Sequence, residues 1–317
     1  MKPMVILTGP TAVGKTELSI RLAKILNAEI ISADSMQVYK KMDIGTAKIR
    51  PEEMEGVKHY LVDELDPREE FHVARFQQMA KDALEEIYAK GKVPILVGGT
   101  GFYIQAVLND IAFTKEKQGD EIRADLQNLA KEKGASYLHH ELQKVDKESA
   151  EAIHPNNIKR VIRALEYFQS TGQKFSDHNK EERQKGSPYN FLYLVLTMNR
   201  KVLYERIDKR VDQMMEEGLV KEVKQLLDAG YSRNLVSMQG LGYKEIASAL
   251  FKECTMEEAV YRLKRDTRHF AKRQMTWFRR ERDVTMINKD DFLNNHEIVN
   301  YIMKLAVEKG ICSCWEG

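Results

Sequence analysis

The chain has 317 residues, of which 43% are hydrophobic and 31% charged, and its formal net charge is +2. This length suits one large domain or two ordinary ones, and the composition is that of a soluble globular protein. No apolar run approaches the roughly 18 residues of a membrane-spanning helix, and the apolar run after Met1-Lys2-Pro3 leaves no room for a signal peptide. We therefore expect a cytoplasmic protein without a membrane segment.

Cysteine content and charge distribution narrow the kinds of site. Cys254, Cys312 and Cys314 are too few for a disulfide framework or a four-ligand zinc site, so we expect free thiols. Between Arg262 and Arg282, nine Lys or Arg stand against two acidic residues, which leaves the rest of the chain net negative. A basic segment on a near-neutral chain indicates a polyanion that docks at one place.

The first third of the chain alternates between strand and helix patterns. The predicted elements are a strand at 4–8, a helix after a glycine-rich turn, a strand at 28–33, a helix at 75–90 and a strand at 93–97. This alternation predicts an α/β fold of the P-loop NTPase type, with a parallel sheet and helices on both faces. Ligands of such sheets bind beyond the carboxyl ends of the strands, where residues 9–16, Asp34 and Thr100 are expected.

The middle of the chain has a different character. From Thr114 to about Gln184 it is highly charged with helical spacing, as at Ile122, Leu126 and Leu129. We predict a helical insertion over residues 114–189, while 1–113 and 190–317 form the catalytic core. Strands are expected at 190–196 and at 284–287.

The glycine-rich turn matches the phosphate-binding pattern G-x-x-x-x-G-K-[ST]. Its residues are Gly9, Pro10, Thr11, Ala12, Val13, Gly14, Lys15 and Thr16. The backbone N–H groups and the following helix attract a phosphate, Lys15 adds a point charge, and Thr16 is a candidate Mg²⁺ ligand. The strand before the motif and the helix after it strengthen this interpretation.

The P-loop alone leaves the reaction open. Most P-loop proteins act on the γ-phosphate of a nucleotide such as ATP, and many add an acidic residue at a strand end. Leu61-Val62-Asp63 is one candidate, although a solvated aspartate before a turn explains Asp63 at least as well. A small-molecule kinase with Asp34 as proton acceptor and a nucleotide-switched RNA-binding protein both fit these residues.

Five further motifs resemble the tRNA dimethylallyltransferase family, and together they span nearly the whole chain. They are Ile31–Lys48, Gly98–Tyr103, His154–Glu166, Gly240–Glu245 and Thr267–Trp277. The resemblance implies transfer of a dimethylallyl group from its diphosphate to the exocyclic 6-amino group of adenosine at tRNA position 37. On this interpretation the P-loop holds a departing diphosphate, and Mg²⁺, dimethylallyl diphosphate and the tRNA anticodon stem-loop are the partners of a monomer.

The resemblance also implies roles for individual residues. Asp34 is the implied general base, Thr100 lies near the reacting carbon, and Arg210, with Lys15 and Thr16, acts on the diphosphate. Each has a plainer explanation: Asp34 orients Mg²⁺ or caps a helix, Thr100 is a turn residue, and Arg210 is a helix-surface arginine in an (i, i+4) ion pair.

A further set of residues is implied to contact tRNA, with the insertion gripping the anticodon arm and the target base extruded. The set comprises Asp34, Ser35, Met36, Gln37, Thr100, Arg123, Lys159, Arg160, Val161, Ile162, Arg163, Gln239, Gly240, Leu241, Gly242, Tyr243 and Lys244. Two places depart from the family pattern: Met36, where a small residue is common, and the segment 114–118.

The basic segment carries four residues spaced for one helix face, Arg265, Arg268, Lys272 and Arg279. Such a stripe can follow a phosphate backbone, although a charge run is usually a solvated face. The interleaved aromatics Phe270, Trp277 and Phe278 are expected to pack in the core rather than to stack on bases.

Overall fold

The computed structural model describes residues 1–113 and 119–315, apart from the side chains of residues 119, 120, 183 and 184. The chain divides into two compact units. The larger unit contains Met1–Leu108 and the chain from Pro188 onward, and the smaller unit is Asn109–Ser187. Residues 114–118, where the sequence placed the start of the insertion, lie outside the described part.

The larger unit is built on a six-stranded sheet in the order β3-β2-β4-β1-β5-β6. The strands are β1 Lys2–Thr8, β2 Ala28–Ala33, β3 His59–Tyr60, β4 Val93–Gly98, β5 Tyr189–Thr197 and β6 Val284–Asn288. Every neighbouring pair is parallel. β2 is buried along its whole length, as expected for a strand of a parallel sheet that is covered on both faces.

Helices cover both faces of this sheet. They are α1 Lys15–Ile25, α2 Val73–Ala89, α3 Gly101–Leu108, α9 Arg200–Glu217, α10 Leu219–Asp228, α11 Tyr243–Leu250, α12 Met256–Phe278 and α13 Asn295–Glu308. On one face, Leu18 of α1 and Ile302 of α13 pack in one apolar cluster. On the other face, Phe76 of α2, Ile246 of α11 and Leu263 of α12 share a second cluster. This architecture confirms the predicted α/β fold of the P-loop type.

Strand register brings the expected ligand-binding segments to one edge of the sheet. Thr8 of β1 and Ala33 of β2 both pair with Gly98 of β4, which lies between them. The carboxyl ends of these three strands are therefore level. The P-loop, Asp34 and Thr100 all begin within two residues of that line.

The smaller unit consists of five helices among its described residues. They are α4 Gly119–Lys133, α5 Ala135–Val145, α6 Lys147–Ala152, α7 Ile158–Thr171 and α8 Phe175–Gln184. Leu126, Leu138, Leu142 and Leu165 belong to its apolar core. The amphipathic spacing read from the sequence therefore corresponds to packing, and the helical insertion of the predicted fold is confirmed. Its predicted bounds of 114–189 stay a prediction.

The predicted strands at 4–8, 28–33, 93–97, 190–196 and 284–287 are all present. The sequence missed β3, which has only two residues and offers no alternating pattern to detect. Leu61 and Asp63, which follow β3, each have a φ of +61°, in the left-handed region. Asp63 therefore lies in a turn and not at the end of a strand, where an acidic residue of a P-loop site was considered. No helix in the described part of the chain is long and apolar enough to cross a membrane.

Candidate functional site

The P-loop connects β1 to α1, and the side chain of Lys15 folds back onto the loop backbone. Lys15 Nζ donates to the carbonyl oxygens of Gly9 and Pro10 at 2.9 and 2.8 Å. Gly14 has a φ of +95°, a conformation that L side chains rarely adopt, so glycine is needed at this position. The Thr16 side chain, at the start of α1, is exposed. The loop thus presents backbone N–H groups, one ammonium and one hydroxyl to an anion.

Lys15, Arg210 and Asp34 form one electrostatic group beside the loop. The pKa of Lys15 is lowered to about 8, mainly by desolvation and then by the charge of the Arg210 guanidinium, while the Asp34 carboxylate opposes both. Desolvation also lowers the pKa of Arg210, again against the attraction of Asp34. Two cations held near each other at a desolvated place favour an anionic ligand between them.

Asp34 follows β2 directly and shapes the segment after it. Its Oδ1 accepts hydrogen bonds from the backbone N–H groups of Met36 and Gln37 at 2.8 and 3.2 Å. Among the described residues, Oδ2 has no hydrogen-bond partner. One carboxylate oxygen is therefore structural, while the other is available to accept a proton.

Thr100 is fixed next to the end of β2. Its backbone N–H donates to Ala33 O at 3.3 Å, and its carbonyl accepts from Tyr103 N–H at 3.0 Å at the start of α3. A Cβ on Gly98 would lie 2.2 Å from Ala33 O, so only glycine allows this close approach of β4 and β2. Thr100 therefore stands beside the residue that precedes Asp34.

Gln274 of α12 connects two of these segments, a role that the Thr267–Trp277 motif does not indicate. Its Oε1 accepts from the Thr11 backbone N–H at 2.9 Å, and its Nε2 donates to Gly99 O at 3.1 Å. The side chain is buried. A Cβ on Gly99 would lie 2.0 Å from Gln274 Nε2. The basic helix therefore fixes the P-loop relative to the Thr100 loop from its inner face.

Glu222 of α10 is a second residue that the sequence missed. Its buried carboxylate accepts backbone N–H groups from Asp43, Ile44 and Gly45 at 3.0, 2.8 and 3.1 Å. It also accepts the Tyr243 hydroxyl at 2.7 Å. Desolvation, followed by the charge of Glu222, holds the pKa of Tyr243 well above its usual range. Glu222 thus joins the segment after β2 to the Gly240–Glu245 motif.

The implied tRNA-contact residues of the larger unit differ in exposure. Tyr243 is fully buried, so its side chain positions its neighbours. Gln239 is exposed, and its amide donates to Arg233 O at 2.6 Å. Met36 fills the space over Gly240, where a Cβ would lie 2.4 Å from Met36 Cε. A larger residue at position 240 would therefore displace the end of the Met36 side chain.

The smaller unit has a basic groove between α4 and α7, with a volume of about 520 Å³. Arg123, Lys159 and Arg163 are among its lining residues. Buried Glu166 accepts from Arg123 Nη2 at 2.9 Å and from Arg163 Nη1 at 3.2 Å, which holds both guanidinium groups in place. Lys159 and Arg160 are exposed, whereas Val161 and Ile162 face the core. The stretch 159–163 therefore presents its basic residues outward.

α12 carries the basic stripe, but its members are not equivalent. Arg268 pairs with Asp208 and Arg265 with Asp266, whereas Lys272 and Arg279 are exposed. The helix ends at Phe278, so Arg279 is its C-cap residue. The outer surface of α12 therefore offers Lys272 and its neighbours to an anion.

The three aromatic residues of this segment also differ in exposure. Phe278 is fully buried, as expected, and Phe270 is partly buried. The expectation of core packing was wrong for Trp277, which is 37% exposed and packs edge-on against exposed Phe102. The indole of Trp277 lies over Gly101. A Cβ at position 101 would be only 2.1 Å from the indole nitrogen, so the absence of a side chain there makes room for the ring.

Asp63 does not take part in the P-loop group. Its carboxylate pairs with Lys48 at 2.9 Å, and Lys48 also pairs with Asp43 at 2.6 Å. The plainer explanation of Asp63, a solvated residue at a turn, fits this arrangement. Asp34 is thus the acid associated with Lys15 and Arg210.

Comparison with known proteins identifies the group to which this geometry belongs. Residues 37–281 match the family described as IPP transferase. The chain belongs to the IPP transferase family. The tRNA dimethylallyltransferase of Lachnoclostridium phytofermentans is 62% identical over 98% of this chain and 99% of the relative. That of Acetivibrio thermocellus is 51% identical over the same shares.

Solved structures of the IPP transferase family agree. The tRNA isopentenylpyrophosphate transferase of Bacillus halodurans has a TM-score of 0.74 at 47% identity and covers 98% of both chains. A eukaryotic dimethylallyltransferase described as acting on tRNA has a TM-score of 0.83 at 30% identity, over 98% of this chain and 80% of its own. The predicted family is confirmed, and this IPP transferase family member is an enzyme of tRNA processing rather than a kinase or a non-catalytic RNA-binding protein.

Proposed function

We propose that the enzyme joins C1 of dimethylallyl diphosphate to the exocyclic nitrogen of adenosine 37 in tRNA. As the new C–N bond forms, the bond between C1 and the bridging oxygen breaks, and its electron pair leaves with the diphosphate. The adenosine nitrogen loses one proton, which Asp34 accepts. The observation that carries this proposal is the grouping of Asp34 with Lys15 and Arg210, beside Thr100 and the P-loop.

Charge on the departing diphosphate is the main electrostatic demand of this reaction. Lys15, Arg210 and the P-loop are held together by the fold, so their charges and dipoles can stabilise the diphosphate as its charge develops. Arg210 suits this role because its guanidinium can donate two parallel hydrogen bonds to phosphate oxygens. The P-loop thus stabilises a leaving group instead of activating a nucleoside triphosphate.

Asp34 is suited to accept the proton by its position and by its free oxygen. An adenine amino nitrogen is a poor nucleophile because its lone pair is delocalised, so removing a proton during bond formation assists the attack. The turn that Oδ1 makes with Met36 and Gln37 holds the carboxylate in place. Thr100, fixed beside it, is assigned to the space near the reacting carbon.

Mg²⁺ fits this site as an ion held mainly by the substrate. Among the described residues there is no group of three His, Cys, Asp or Glu that could hold a metal ion. The exposed Thr16 hydroxyl would hold the ion together with oxygens of the substrate and water, as is usual for Mg²⁺. Bound there, the ion would neutralise part of the diphosphate charge.

The tRNA is assigned to three surfaces of the chain, in addition to the basic outer face of α12 with Lys272 and Arg273. Arg123, Lys159, Arg160 and Arg163 of the smaller unit hold phosphates of the anticodon arm. The segments 34–37 and 239–244 contact the loop, and the target base leaves its stack to reach Asp34. We expect a monomer to carry the whole site and to act where tRNA is found, in the cytoplasm.

A label-transfer assay tests the reaction. Unmodified tRNA, Mg²⁺ and dimethylallyl diphosphate labelled in its carbon chain are mixed with the protein, and a parallel tube holds ATP labelled at the γ-phosphate. Label is expected in tRNA in the first tube only. Phosphoryl transfer from ATP without any carbon label in tRNA would contradict the proposal.

A further inference from the structure

A second lysine, Lys289, lies against the P-loop and comes from the edge strand β6. Lys289 lies in the short turn Lys289–Asp291 directly after β6. A Cβ on Gly14 would lie only 3.0 Å from Lys289 Nζ, so the ammonium rests against the loop backbone. Asp290 Oδ2 in the same turn accepts from the Asn199 backbone N–H at 2.6 Å, which ties the turn to the start of α9. The turn that carries Lys289 is therefore anchored to α9.

The Lys289 ammonium has no acceptor of its own among residues 1–113 and 119–315. Desolvation lowers the pKa of Lys289, nearby Arg206 lowers it further, and Glu17 opposes them. A partly buried cation beside another cation is unfavourable unless an anion completes the site. The P-loop is where such an anion binds.

Two arginines of α9 each lie near one of the two lysines: Arg210 near Lys15, and Arg206 near Lys289. The arginines are four residues apart, so they lie on one helix face separated by about 6 Å along the axis. Arg210 influences Lys15 and is attracted by Asp34, whereas Arg206 influences Lys289. One pair is therefore on the Asp34 side of the loop, and the other lies toward Gly14 and Glu17.

We propose that Lys289, with Arg206 beside it, binds the terminal phosphate of the diphosphate, while Lys15 and Arg210 hold the phosphate bonded to the transferred carbon. This inference rests on the proposed function, because the transferred carbon must face Asp34 and Thr100. The phosphate attached to that carbon then lies at the Lys15–Arg210 pair. The second phosphate extends along the loop toward Gly14, where Lys289 donates a hydrogen bond to it.

Lys289 should therefore affect ligand selectivity in a way that Lys15 does not. It separates ligands with two phosphates from ligands with one, because a single phosphate at the Lys15–Arg210 pair does not reach it. It also holds the released inorganic diphosphate, which keeps the product in the site after the C–O bond has broken.

Calorimetric titration of the full-length protein in Mg²⁺ tests this assignment with two ligands, inorganic diphosphate and dimethylallyl monophosphate. In Lys289→Met, affinity for diphosphate should fall about tenfold, as expected for loss of a charge-assisted hydrogen bond, while affinity for the monophosphate is unchanged. Lys289→Arg should retain most of the diphosphate affinity. Lys304→Met, which removes an exposed lysine of α13, should bind both ligands as the wild type does.

Equal losses for the two ligands would overturn the assignment, because Lys289 would then act on the loop as a whole. Unchanged diphosphate affinity in Lys289→Met would overturn it as well. Both titrations omit tRNA, so a failure of dimethylallyl transfer would contradict the proposed function without deciding the role of Lys289.

Discussion

At the residue scale, the proposal gives Asp34 a structural and a chemical role in one carboxylate. Oδ1 closes the turn with Met36 and Gln37, and Oδ2 is the oxygen that we propose faces the substrate. Replacement by alanine would remove both, and its result would be ambiguous. Replacement by asparagine keeps an oxygen acceptor for the turn and removes only the basicity.

Asp34→Asn should lower the single-turnover rate of transfer by roughly 100- to 10,000-fold, the usual contribution of a general base. Affinity for tRNA, measured by filter binding, should stay within about twofold, because the turn is retained. Asp63→Asn is the matched control, since Asp63 pairs with Lys48 away from the Lys15 group. A normal rate in Asp34→Asn would remove Asp34 from the mechanism.

We expect Lys15 to make the affinity for diphosphate depend on pH. Its pKa is lowered to about 8, so the free enzyme loses this ammonium as the pH rises above about 8. Diphosphate favours the charged form, and the last ionisation of a phosphate ester near pH 6 is already complete. Affinity for dimethylallyl diphosphate should therefore be steady from pH 7 to about 8 and then fall by up to about tenfold per pH unit.

Equilibrium binding across pH 7 to 10 measures this dependence. Lys15→Met should bind more weakly at every pH and lose the decline that begins near pH 8, because the group with that pKa is gone. Persistence of the same decline in Lys15→Met would assign it to another group.

At the element scale, α12 has an outer and an inner face that the sequence did not separate. The basic spacing predicted an outer stripe, and Lys272 and Arg279 are exposed. The inner face holds Gln274 between Thr11 and Gly99 and places Trp277 over Gly101. A lone glutamine in a charged segment gives no periodic signal, and its partners lie far away in sequence, so only the fold reveals it.

Gln274→Glu tests the inner face. The carboxylate can still accept the Thr11 N–H, but it cannot donate to the Gly99 carbonyl and is repelled by it. A buried unsatisfied group of this kind costs about 1–3 kcal/mol, so we expect transfer to fall at least fivefold with a lower melting temperature. Gln225→Glu, at an exposed position of α10, should change neither. Full activity with an unchanged melting temperature in Gln274→Glu would show that the bridge is dispensable.

Lys272→Gln combined with Arg273→Gln tests the outer face. Each phosphate contact to single-stranded nucleic acid contributes roughly 0.7 to the slope of log affinity against log salt, so the slope should decrease by about 1.4. Binding to tRNA at several salt concentrations gives this slope. The control removes Lys304 and Lys309, two exposed charges on and beside α13. An unchanged slope in the α12 variant would mean that the stripe does not contact the nucleic acid.

At the scale of the whole molecule, the strands other than β3, the helices and the insertion could be predicted from the sequence, but the order of the strands in the sheet could not. Buried strands alternating with amphipathic helices indicated the α/β unit, and charged helical spacing indicated the insertion. Strand order was beyond reach, because it depends on long-range pairing, and β4 between β1 and β2 is what brings Thr100 beside Asp34.

The same reason hid three polar residues around the candidate site. Glu222, Gln274 and Lys289 come from the last hundred residues, yet they contact segments within the first hundred. Local patterns identify a P-loop because it is continuous in sequence. They do not identify the side chains that the fold brings to it from elsewhere.

The most direct measurement is the mass of the nucleoside at position 37 of an unmodified tRNA after incubation with the protein, Mg²⁺ and dimethylallyl diphosphate. We predict that adenosine 37 gains one dimethylallyl group in place of a hydrogen of its 6-amino group, with one inorganic diphosphate released per modified tRNA. A tRNA with guanosine at position 37 should remain unmodified. An unchanged adenosine 37, or a dimethylallyl group on another nucleotide, would contradict the account.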